Sequence, residues 1–345
     1  MNQALPASAA HRRSRRWLTV VCVLLSAHFT VAYNTLTVVM FSFQRAISLN
    51  NTPLDYRLLT VLIYQAFMFL VSPLRAHHPT LHLPYLNYPF SSDLQWFICV
   101  LTFVGMFATL MVTRRLLRVI DGHWAFEWLA LAMVYMAYFD TILVLNRNLY
   151  YPYDILALFF FTLLVYLAYI DQPVWIAILL VPAILNKETA CMAGLVYFCL
   201  YFGRKPIGRL VAICGGFALI SFTVRTVQQM YMHHRCPACT QMLRYELGGN
   251  LHQMLNPLFW LSESAVFGYA WVSIFFFWRY VPARIRWTAI ITYAAWTLSL
   301  LFTGILREVR IFSEVSIIVV LVTATGIHHY LQARKSTTPA AERTT

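Results

Sequence analysis

The chain has 345 residues, of which 60% are hydrophobic and only 11% are charged. A soluble protein carries about 25% charged residues, so this composition excludes ordinary soluble, disordered and fibrous chains and is typical of a polytopic α-helical membrane protein. The net charge of +13 does not indicate nucleic-acid binding, because the basic residues are scattered over loops rather than massed in one patch.

The chain begins with a basic arm, residues 1–16, which ends in His11-Arg12-Arg13-Ser14-Arg15-Arg16. An apolar segment follows at once, as in a secretory signal peptide, but no small-x-small cleavage site closes that segment. We therefore expect an uncleaved first helix whose N-terminal arm lies in the cytoplasm.

Residues 17–331 are expected to form one all-α transmembrane bundle, followed by a cytoplasmic tail over 332–345. A membrane helix needs about 20 mostly apolar residues. The two runs that flank Asn186 and Lys187 are short, which is typical of tilted or broken helices. Apolar runs predict about ten spans, at 17–40, 94–113, 124–145, 154–170, 173–186, 190–203, 208–224, 259–278, 287–305 and 311–331.

Basic residues between the spans indicate the orientation of the bundle, because cytoplasmic loops are enriched in Lys and Arg. With the N-terminus inside, four basic clusters fall in turn on the inner side: Arg114, Arg115 and Arg118; Arg204, Lys205 and Arg209; Arg279, Arg284 and Arg286; Arg334 and Lys335. This pattern predicts a multi-pass inner-membrane protein with both termini in the cytoplasm. The outer face then receives 146–153, 186–189, 306–310 and two large loops, 41–93 and 225–258.

The apolar segment from Leu58 to Leu74 is long enough to cross a membrane. A crossing there would move the cluster around Arg114 to the outer side and would invert every later cluster. We therefore predict that 58–74 is a re-entrant or interfacial helix that follows the first span.

Charged side chains are concentrated at the predicted outer ends of the spans, although a charge near the bilayer centre costs about 2.5–3.5 kcal/mol or more. Asp140 and Arg147 are seven residues apart and share a helical face, and Arg310 and Glu314 are one turn apart. The other candidates in these positions are Asp55, Arg57, Tyr151, Tyr153, Asp154, Lys187, Glu188, Glu263, Arg307 and Glu308.

These residue types suit a phosphorylated sugar substrate. Guanidinium groups bind phosphate oxygens, carboxylates act as a base or bind sugar hydroxyls, and tyrosines pack on sugar rings or lipid headgroups. Each feature also has a structural interpretation. The two charge pairs are typical of buried ion pairs, Tyr150–Tyr153 of an aromatic belt at the membrane surface, and Lys187 with Glu188 of a solvated turn.

Cysteines form one local motif, Cys236-Pro237-Ala238-Cys239, directly after His233 and His234. A local disulfide or two free thiols is the favoured interpretation, and zinc binding or a redox role are the alternatives. His28 is expected to be a hydrogen-bonded packing residue of the first span. The other cysteines are expected to be small buried hydrophobic residues, namely Cys22, Cys99, Cys191, Cys199 and Cys214.

Four motifs together resemble bacterial polytopic proteins of the GT-C glycosyltransferase type. They are Tyr56-Arg57-Leu58-Leu59, Tyr151-Pro152-Tyr153-Asp154, Asn186-Lys187-Glu188-Thr189 and Glu308-Val309-Arg310-Ile311-Phe312. The likeness extends over about residues 15–330. It implies a polyprenyl-phosphate-linked sugar donor, catalysis on the outer face and an essential acidic residue in the first outer loop.

The resemblance also implies roles for these residues. Asp55 is the predicted catalytic base, and Asp154 and Glu188 are expected to orient the sugar or the acceptor. The predicted phosphate-binding cations are Arg57, Arg147, Lys187, Arg307 and Arg310, and Tyr151, Tyr153 and Glu308 complete the substrate-binding set. No cofactor is required, although a divalent metal would suit this chemistry, and the expected partners are the lipid-linked sugar donor and membrane lipids.

Two rival functions come from other classes. A transporter or flippase for a lipid-linked or anionic solute would place charges along a path through the membrane, and short, broken helices near 173–203 favour that function. A non-catalytic membrane assembly protein is the other rival. The one-sided distribution of the acidic residues favours the glycosyltransferase.

Overall fold

A computed structural model describes residues 9–36, 38–39, 58–71, 93–143, 149–235, 246–304, 306 and 309–337. The described chain is helical apart from one short parallel pairing between β1 (Val38–Val39) and β2 (Leu149–Tyr150). This pairing joins the segment after the first helix to the segment before the helix that carries Asp154. The predicted all-helical class is therefore confirmed.

The first half of the chain contains seven α-helices among the described residues. They are α1 (Ala9–Leu36), α2 (Leu58–Val71), α3 (Asp93–Ile120), α4 (Leu131–Tyr138), α5 (Pro152–Tyr169), α6 (Pro173–Asn186) and α7 (Ala193–Tyr201). The 3-10 segments Trp124–Ala130 and Glu188–Met192 lead into α4 and α7, and a π-helical turn, Phe139–Leu143, ends α4. Proline at the start of α5 and α6 fits the helical φ where no N–H donor is needed.

The second half continues with α8 (Ile207–Arg235), α9 (Leu247–Met254), α10 (Pro257–Ser264), α11 (Val272–Phe277), α12 (Ala283–Thr303) and α13 (Ser316–Thr337). The connecting 3-10 segments are Val266–Tyr269, Trp278–Tyr280 and Val309–Val315. Asn256 caps α10, because its side-chain oxygen accepts a hydrogen bond of 3.0 Å from the Leu258 N–H.

Six described helical stretches are long and apolar enough to cross a membrane, or seven if one bent pair counts as a single span. The predicted spans 154–170, 173–186 and 190–203 correspond to the shorter apolar helices Tyr153–Tyr169, Pro173–Asn186 and Glu188–Tyr201. The prediction of ten spans is therefore not confirmed. A helical, membrane-type bundle is the architecture that these elements support.

The centre of the bundle is formed by α5 and α13. Helix α5 packs against α3, α6, α7 and the segment 309–315. It crosses α3 closely at Gly105, where an added Cβ would lie 3.0 Å from Ile155 Cγ2. Of the apolar window of α13, 78% is buried, whereas the window of α8 is only 11% buried. An apolar helix that is buried on all sides belongs to the core, and an apolar helix with an exposed face suits a lipid environment.

The predicted span 259–278 is bent rather than continuous. Helix α10 and the following segment, Val266–Tyr280, are bent by 60° relative to each other. The break is a run of three residues with positive φ, Phe267, Gly268 and Tyr269. The Tyr135 hydroxyl fixes this bend by donating a hydrogen bond of 2.8 Å to the Gly268 carbonyl.

Three further predictions can be compared with the structure. The predicted loop 225–258 is partly helical, because α8 extends to Arg235 and α9 covers Leu247–Met254. Helix α2 has 14 residues and is therefore about 21 Å long, shorter than a hydrocarbon core of about 30 Å, which favours the interfacial or re-entrant interpretation. His28 Nδ1 contacts the Tyr138 hydroxyl, so the predicted hydrogen bond is present, but His28 is exposed rather than packed in the core.

The cysteine predictions are confirmed only in part. Cys22 and Cys199 are buried, and Cys99 and Cys214 are half-buried. Cys191 is exposed, so the prediction of a buried position is wrong for this residue, which lies in the 3-10 segment Glu188–Met192. Cys236 and Cys239 lie outside the described residues.

We expect Gly268→Ala to destabilise the fold. A Cβ at this position would lie 2.5 Å from Phe139 Cδ2, and the φ of +57° is unfavourable for a residue with a side chain. The expected loss is roughly 1–3 kcal/mol, measured as a lower thermal unfolding temperature in detergent micelles. Gly216→Ala is the matched control, because a Cβ there meets nothing within 4 Å. Equal unfolding temperatures for the two variants would contradict this account of the bend.

Candidate functional site

Four charged side chains form a buried network at one end of the bundle. Lys187 Nζ lies 3.2 Å from Asp154 Oδ1 and 2.5 Å from Glu314 Oε1. Arg310 Nη1 lies 2.6 Å from Asp154 Oδ2. The network therefore runs from Arg310 through Asp154 and Lys187 to Glu314, with positive and negative groups alternating.

Each member of this network is held at the end of a helix or in a break between helices. Asp154 lies in the first turn of α5, where the helix dipole favours a negative charge. Lys187 has an extended backbone between α6 and the turn Glu188–Met192. Arg310 and Glu314 both belong to the 3-10 segment Val309–Val315 that leads into α13. Helix ends therefore bring together groups that are up to 160 residues apart in the sequence.

Burial makes the pairing of these charges obligatory. The side chains of Asp154 and Glu314 are each only 2% exposed, Lys187 is 6% exposed and Arg310 is 13% exposed. A charge transferred into an apolar interior costs several kcal/mol unless an opposite charge and hydrogen bonds compensate it. Two cations and two carboxylates give a net charge of zero, so the network as a whole is compatible with an apolar bundle.

Aromatic and hydroxyl groups surround the ion network. The Arg310 guanidinium carbon lies 3.8 Å from the centre of the Tyr151 ring, and Lys187 Nζ lies 6.0 Å from the centre of the Tyr153 ring. Both arrangements are cation–π contacts, which stabilise a cation without adding a negative charge. The Thr189 hydroxyl donates a hydrogen bond of 2.5 Å to Glu314 Oε2. The ring of Tyr33 is fully buried beside this cluster and interacts electrostatically with Asp154.

Asn186 connects the network to α2. Its side-chain amide donates a hydrogen bond of 3.0 Å to the Tyr153 carbonyl. Its side-chain oxygen accepts a hydrogen bond of 3.2 Å from the Thr60 hydroxyl. Both Asn186 and Thr60 are fully buried, so these bonds fix the first turn of α2 beside the end of α6.

A second buried acidic site lies at the π-helical turn after α4. Asp140 is 2% exposed, and its Oδ1 accepts a hydrogen bond of 2.7 Å from the Phe267 N–H in the bent segment. Glu263 interacts electrostatically with Asp140. Among the described residues, Asp140 Oδ2 and Glu263 Oε1 have no hydrogen-bond partner. The predicted partner of Asp140, Arg147, lies outside the described residues.

The opposite end of the bundle carries an excess of positive charge. Glu127, 1% exposed, is paired with Arg15 at 2.9 Å, with Arg114 at 3.0 Å and with Arg118 at 3.0 Å. Arg118 is 13 residues along α3 from Gly105, which contacts the residue after Asp154. At 1.5 Å per residue, the two charge clusters are therefore separated by roughly 20 Å along the bundle.

Other basic groups gather at the Glu127 end. His328 Nδ1 lies 2.8 Å from Asp121 Oδ2, and Lys205 Nζ lies 2.5 Å from Asp171 Oδ1. Burial opposes the charge on Asp171, but hydrogen bonds from Lys205 and Tyr197 outweigh that effect and lower the pKa of the Asp171 carboxyl. Basic residues from α1, α3, α13 and the α7–α8 turn therefore pair with carboxylates at this end.

Of the predicted substrate-binding residues, the structure brings five together: Tyr151, Tyr153, Asp154, Lys187 and Arg310. Glu188, next to Lys187, is exposed. The remaining predicted site residues lie outside the described residues, namely Asp55, Arg57, Arg147, Arg307 and Glu308.

Sequence reasoning missed several members of the site. Glu314 was expected only as a partner of Arg310 one turn away, whereas the structure pairs it with Lys187. Thr189 and Asn186 stood within a quoted motif but had no predicted role. Tyr33 and Thr60 carried no signal, because a hydroxyl in an apolar run is common in membrane helices.

The described residues contain no group of three or more His, Cys, Asp or Glu side chains that could hold a metal ion. Asp154 and Glu314 offer oxygen ligands, but each is paired with a cation in the network. This donor set does not fit a divalent metal in the arrangement observed. No protein-family model, curated protein or solved structure matches the chain, so the geometry carries the functional argument.

We expect the removal of two oppositely charged members of the ion network to cost less stability than the sum of the two single removals. Lys187→Met leaves two buried carboxylates without their shared cation, and the expected destabilisation is about 3–5 kcal/mol. Adding Glu314→Gln restores charge balance, so the double variant should lose less than the sum of the two single variants. Thermal unfolding of the four proteins in one detergent measures this coupling.

Lys205→Met is the matched control for this cycle. Its partner, Asp171, is 42% exposed, so loss of that ion pair should cost less than about 1 kcal/mol. Strictly additive effects of Lys187→Met and Glu314→Gln, or equal losses for Lys187→Met and Lys205→Met, would show that the buried network does not act as a unit.

Proposed function

We propose that this protein is an integral membrane glycosyltransferase of the GT-C-like type, which takes its sugar from a polyprenyl-phosphate-linked donor at the outer face of the inner membrane. The observation that carries this proposal is the convergence of Asp154, Lys187 and Arg310 at one end of the bundle. Two buried cations beside two tyrosine rings suit a phosphate group next to a sugar ring.

The proposed reaction needs stabilisation of a leaving phosphate. The acceptor hydroxyl oxygen attacks the anomeric carbon, the bond from that carbon to the phosphate oxygen breaks, and the polyprenyl phosphate leaves with the bonding electrons. Arg310 and Lys187 would stabilise the negative charge that develops on the leaving phosphate. Asp55 would accept the proton of the acceptor hydroxyl.

Chain connectivity supports a role for the segment before α2. Asp55 and Arg57 precede Thr60 by five and three residues, and Thr60 is hydrogen-bonded to Asn186 at the ion network. The roles proposed for Arg147, Arg307, Glu308 and Glu188, as further contacts to phosphate or sugar, rest on the sequence motifs.

The proposed topology follows from the charge difference between the ends. The Glu127 end, with Arg15, Arg114 and Arg118, would face the cytoplasm, because cytoplasmic segments are enriched in basic residues. Both termini would then be cytoplasmic and the ion network would face the outer leaflet. The ten-span count requires the short helices α6 and α7 to cross with neighbouring segments as tilted or broken spans.

Transport is the second candidate function, and one observation favours it. The bent pair formed by α10 and Val266–Tyr280, with Asp140 bonded to the break, resembles the discontinuous helices that line transport sites. In this case the buried acids would bind a cation or a proton rather than orient a sugar.

We expect Arg310→Gln to lower sugar transfer by about 100-fold, because the variant removes a cation from the leaving phosphate. Transfer is measured with purified protein, candidate polyprenyl-phosphate sugars and a labelled acceptor. Asp55→Asn and Arg57→Ala should also abolish most transfer. Asp171→Asn is the matched control, because Asp171 lies in an ion pair at the opposite end.

Measurements of protein stability and of lipid flux distinguish loss of catalysis from loss of the fold, and sugar transfer from transport. Thermal unfolding shows whether Arg310→Gln loses activity without losing its fold. Full transfer by Asp55→Asn and Arg57→Ala would make their assigned roles wrong. Flux of a labelled lipid in proteoliposomes, without any covalent product, would show that the function is transport and not sugar transfer.

Reporter fusions test the proposed topology. A green fluorescent reporter after Thr345 should fluoresce, since it folds in the cytoplasm, and an alkaline phosphatase reporter there should be inactive. The same two reporters placed at residue 240 should give the opposite results. Active alkaline phosphatase after Thr345 would show that the C-terminus lies outside the cytoplasm, and the proposed topology would then be wrong.

A further inference from the structure

We infer that the Glu127 end carries a binding site for one anionic phospholipid, with its phosphate at Arg16 and an acyl chain in a groove along α1. The Glu127 cluster lies roughly 20 Å from the ion network along the bundle, and the groove shares no residue with that network, so the inference is independent of the proposed function. Three features of the described residues carry it: surplus charge, an open and largely apolar groove along α1, and an arginine in the lining of that groove.

The surplus charge comes from the cluster around Glu127. One buried carboxylate is paired with three guanidinium groups, which leaves two positive charges uncompensated within the cluster. Arg114 is fixed at 6% exposure, whereas Arg15 and Arg118 are 34% and 45% exposed. Two arginines of the cluster thus remain accessible to an anion from outside the bundle.

The groove lies directly beside this cluster. It has a volume of about 420 Å³ and is lined by Arg16, Thr19, Val20, Val23 and Leu24. Arg114 Nη1 donates a hydrogen bond of 2.8 Å to the Thr19 hydroxyl, which joins the polar end of the groove to the Glu127 cluster. Beyond Thr19 the lining is apolar.

Arg16 is the charged residue in the lining of the groove. It is exposed, and among the described residues it is paired with no carboxylate. An arginine above an apolar wall matches a molecule with a phosphate at one end and a hydrocarbon chain at the other. The enclosing membrane supplies such molecules, and charge complementarity selects an anionic lipid over a zwitterionic one.

The experiment compares lipids that share the same acyl chains. The full-length protein in detergent is titrated with phosphatidylglycerol, phosphatidylcholine or sodium phosphate, and bound lipid is counted by native mass spectrometry. We expect phosphatidylglycerol to bind preferentially. Arg16→Gln should weaken that binding about fivefold, as expected for one basic residue near an anionic headgroup.

Two further variants separate the groove from general charge. Val23→Trp fills the groove without changing any charge and should also weaken phosphatidylglycerol binding. Arg115→Gln is the matched control, because Arg115 is exposed at the same end but does not line the groove. The unfolding temperature without lipid verifies that each variant is folded.

Three results would overturn the inference. Equal binding of phosphatidylglycerol and phosphatidylcholine would remove the role of charge. Equal weakening by Arg16→Gln and Arg115→Gln would indicate general attraction to the basic end. Displacement of phosphatidylglycerol by millimolar sodium phosphate would indicate an anion site that does not use the groove.

Discussion

The alternating charges of Arg310, Asp154, Lys187 and Glu314 are the constraint on which this end of the molecule depends. An apolar bundle can hold these charges only as a neutral, hydrogen-bonded set. The end of α6, the start of α5 and the segment before α13 must therefore meet at fixed distances. Because Asn186 is adjacent to Lys187 and bonds to Thr60, the same constraint also positions α2.

The two ends of the bundle differ in the balance and the burial of their charged side chains. At the ion network, cations and carboxylates balance and all four side chains are mostly buried. At the Glu127 end, three arginines share one carboxylate, and two of them remain partly exposed. A neutral buried cluster suits a site that excludes water, whereas an exposed positive surplus suits a membrane surface with anionic lipids. The charge distribution alone therefore distinguishes one end of the bundle from the other.

Much of the helical architecture and half of the candidate site follow from the sequence. Charges are rare in this chain, so Asp154, Lys187 and Arg310 are conspicuous between apolar runs. Because a charge buried alone is unfavourable, these residues are expected to be paired in a common cluster. The pairing of Glu314 with Lys187 was not predictable, because it depends on how α6 and α13 pack in three dimensions. The bend after Ser264 was also not predictable from the sequence, because Phe267 and Tyr269 are not residues that favour positive φ.

The neutrality of the ion network also constrains how it could act on a phosphorylated ligand. Asp154 and Glu314 hold Lys187 and Arg310 in place, so little reorganisation would be needed for the proposed binding of a phosphate. A phosphate bound there would have to compete with carboxylates that are already paired with the same cations. Arg310 is the most accessible member and is stacked on Tyr151, so exchange of its partner is the least costly step. A ligand that enters beside Tyr151 would therefore reach Arg310 first, while Lys187 stays fixed between two acids.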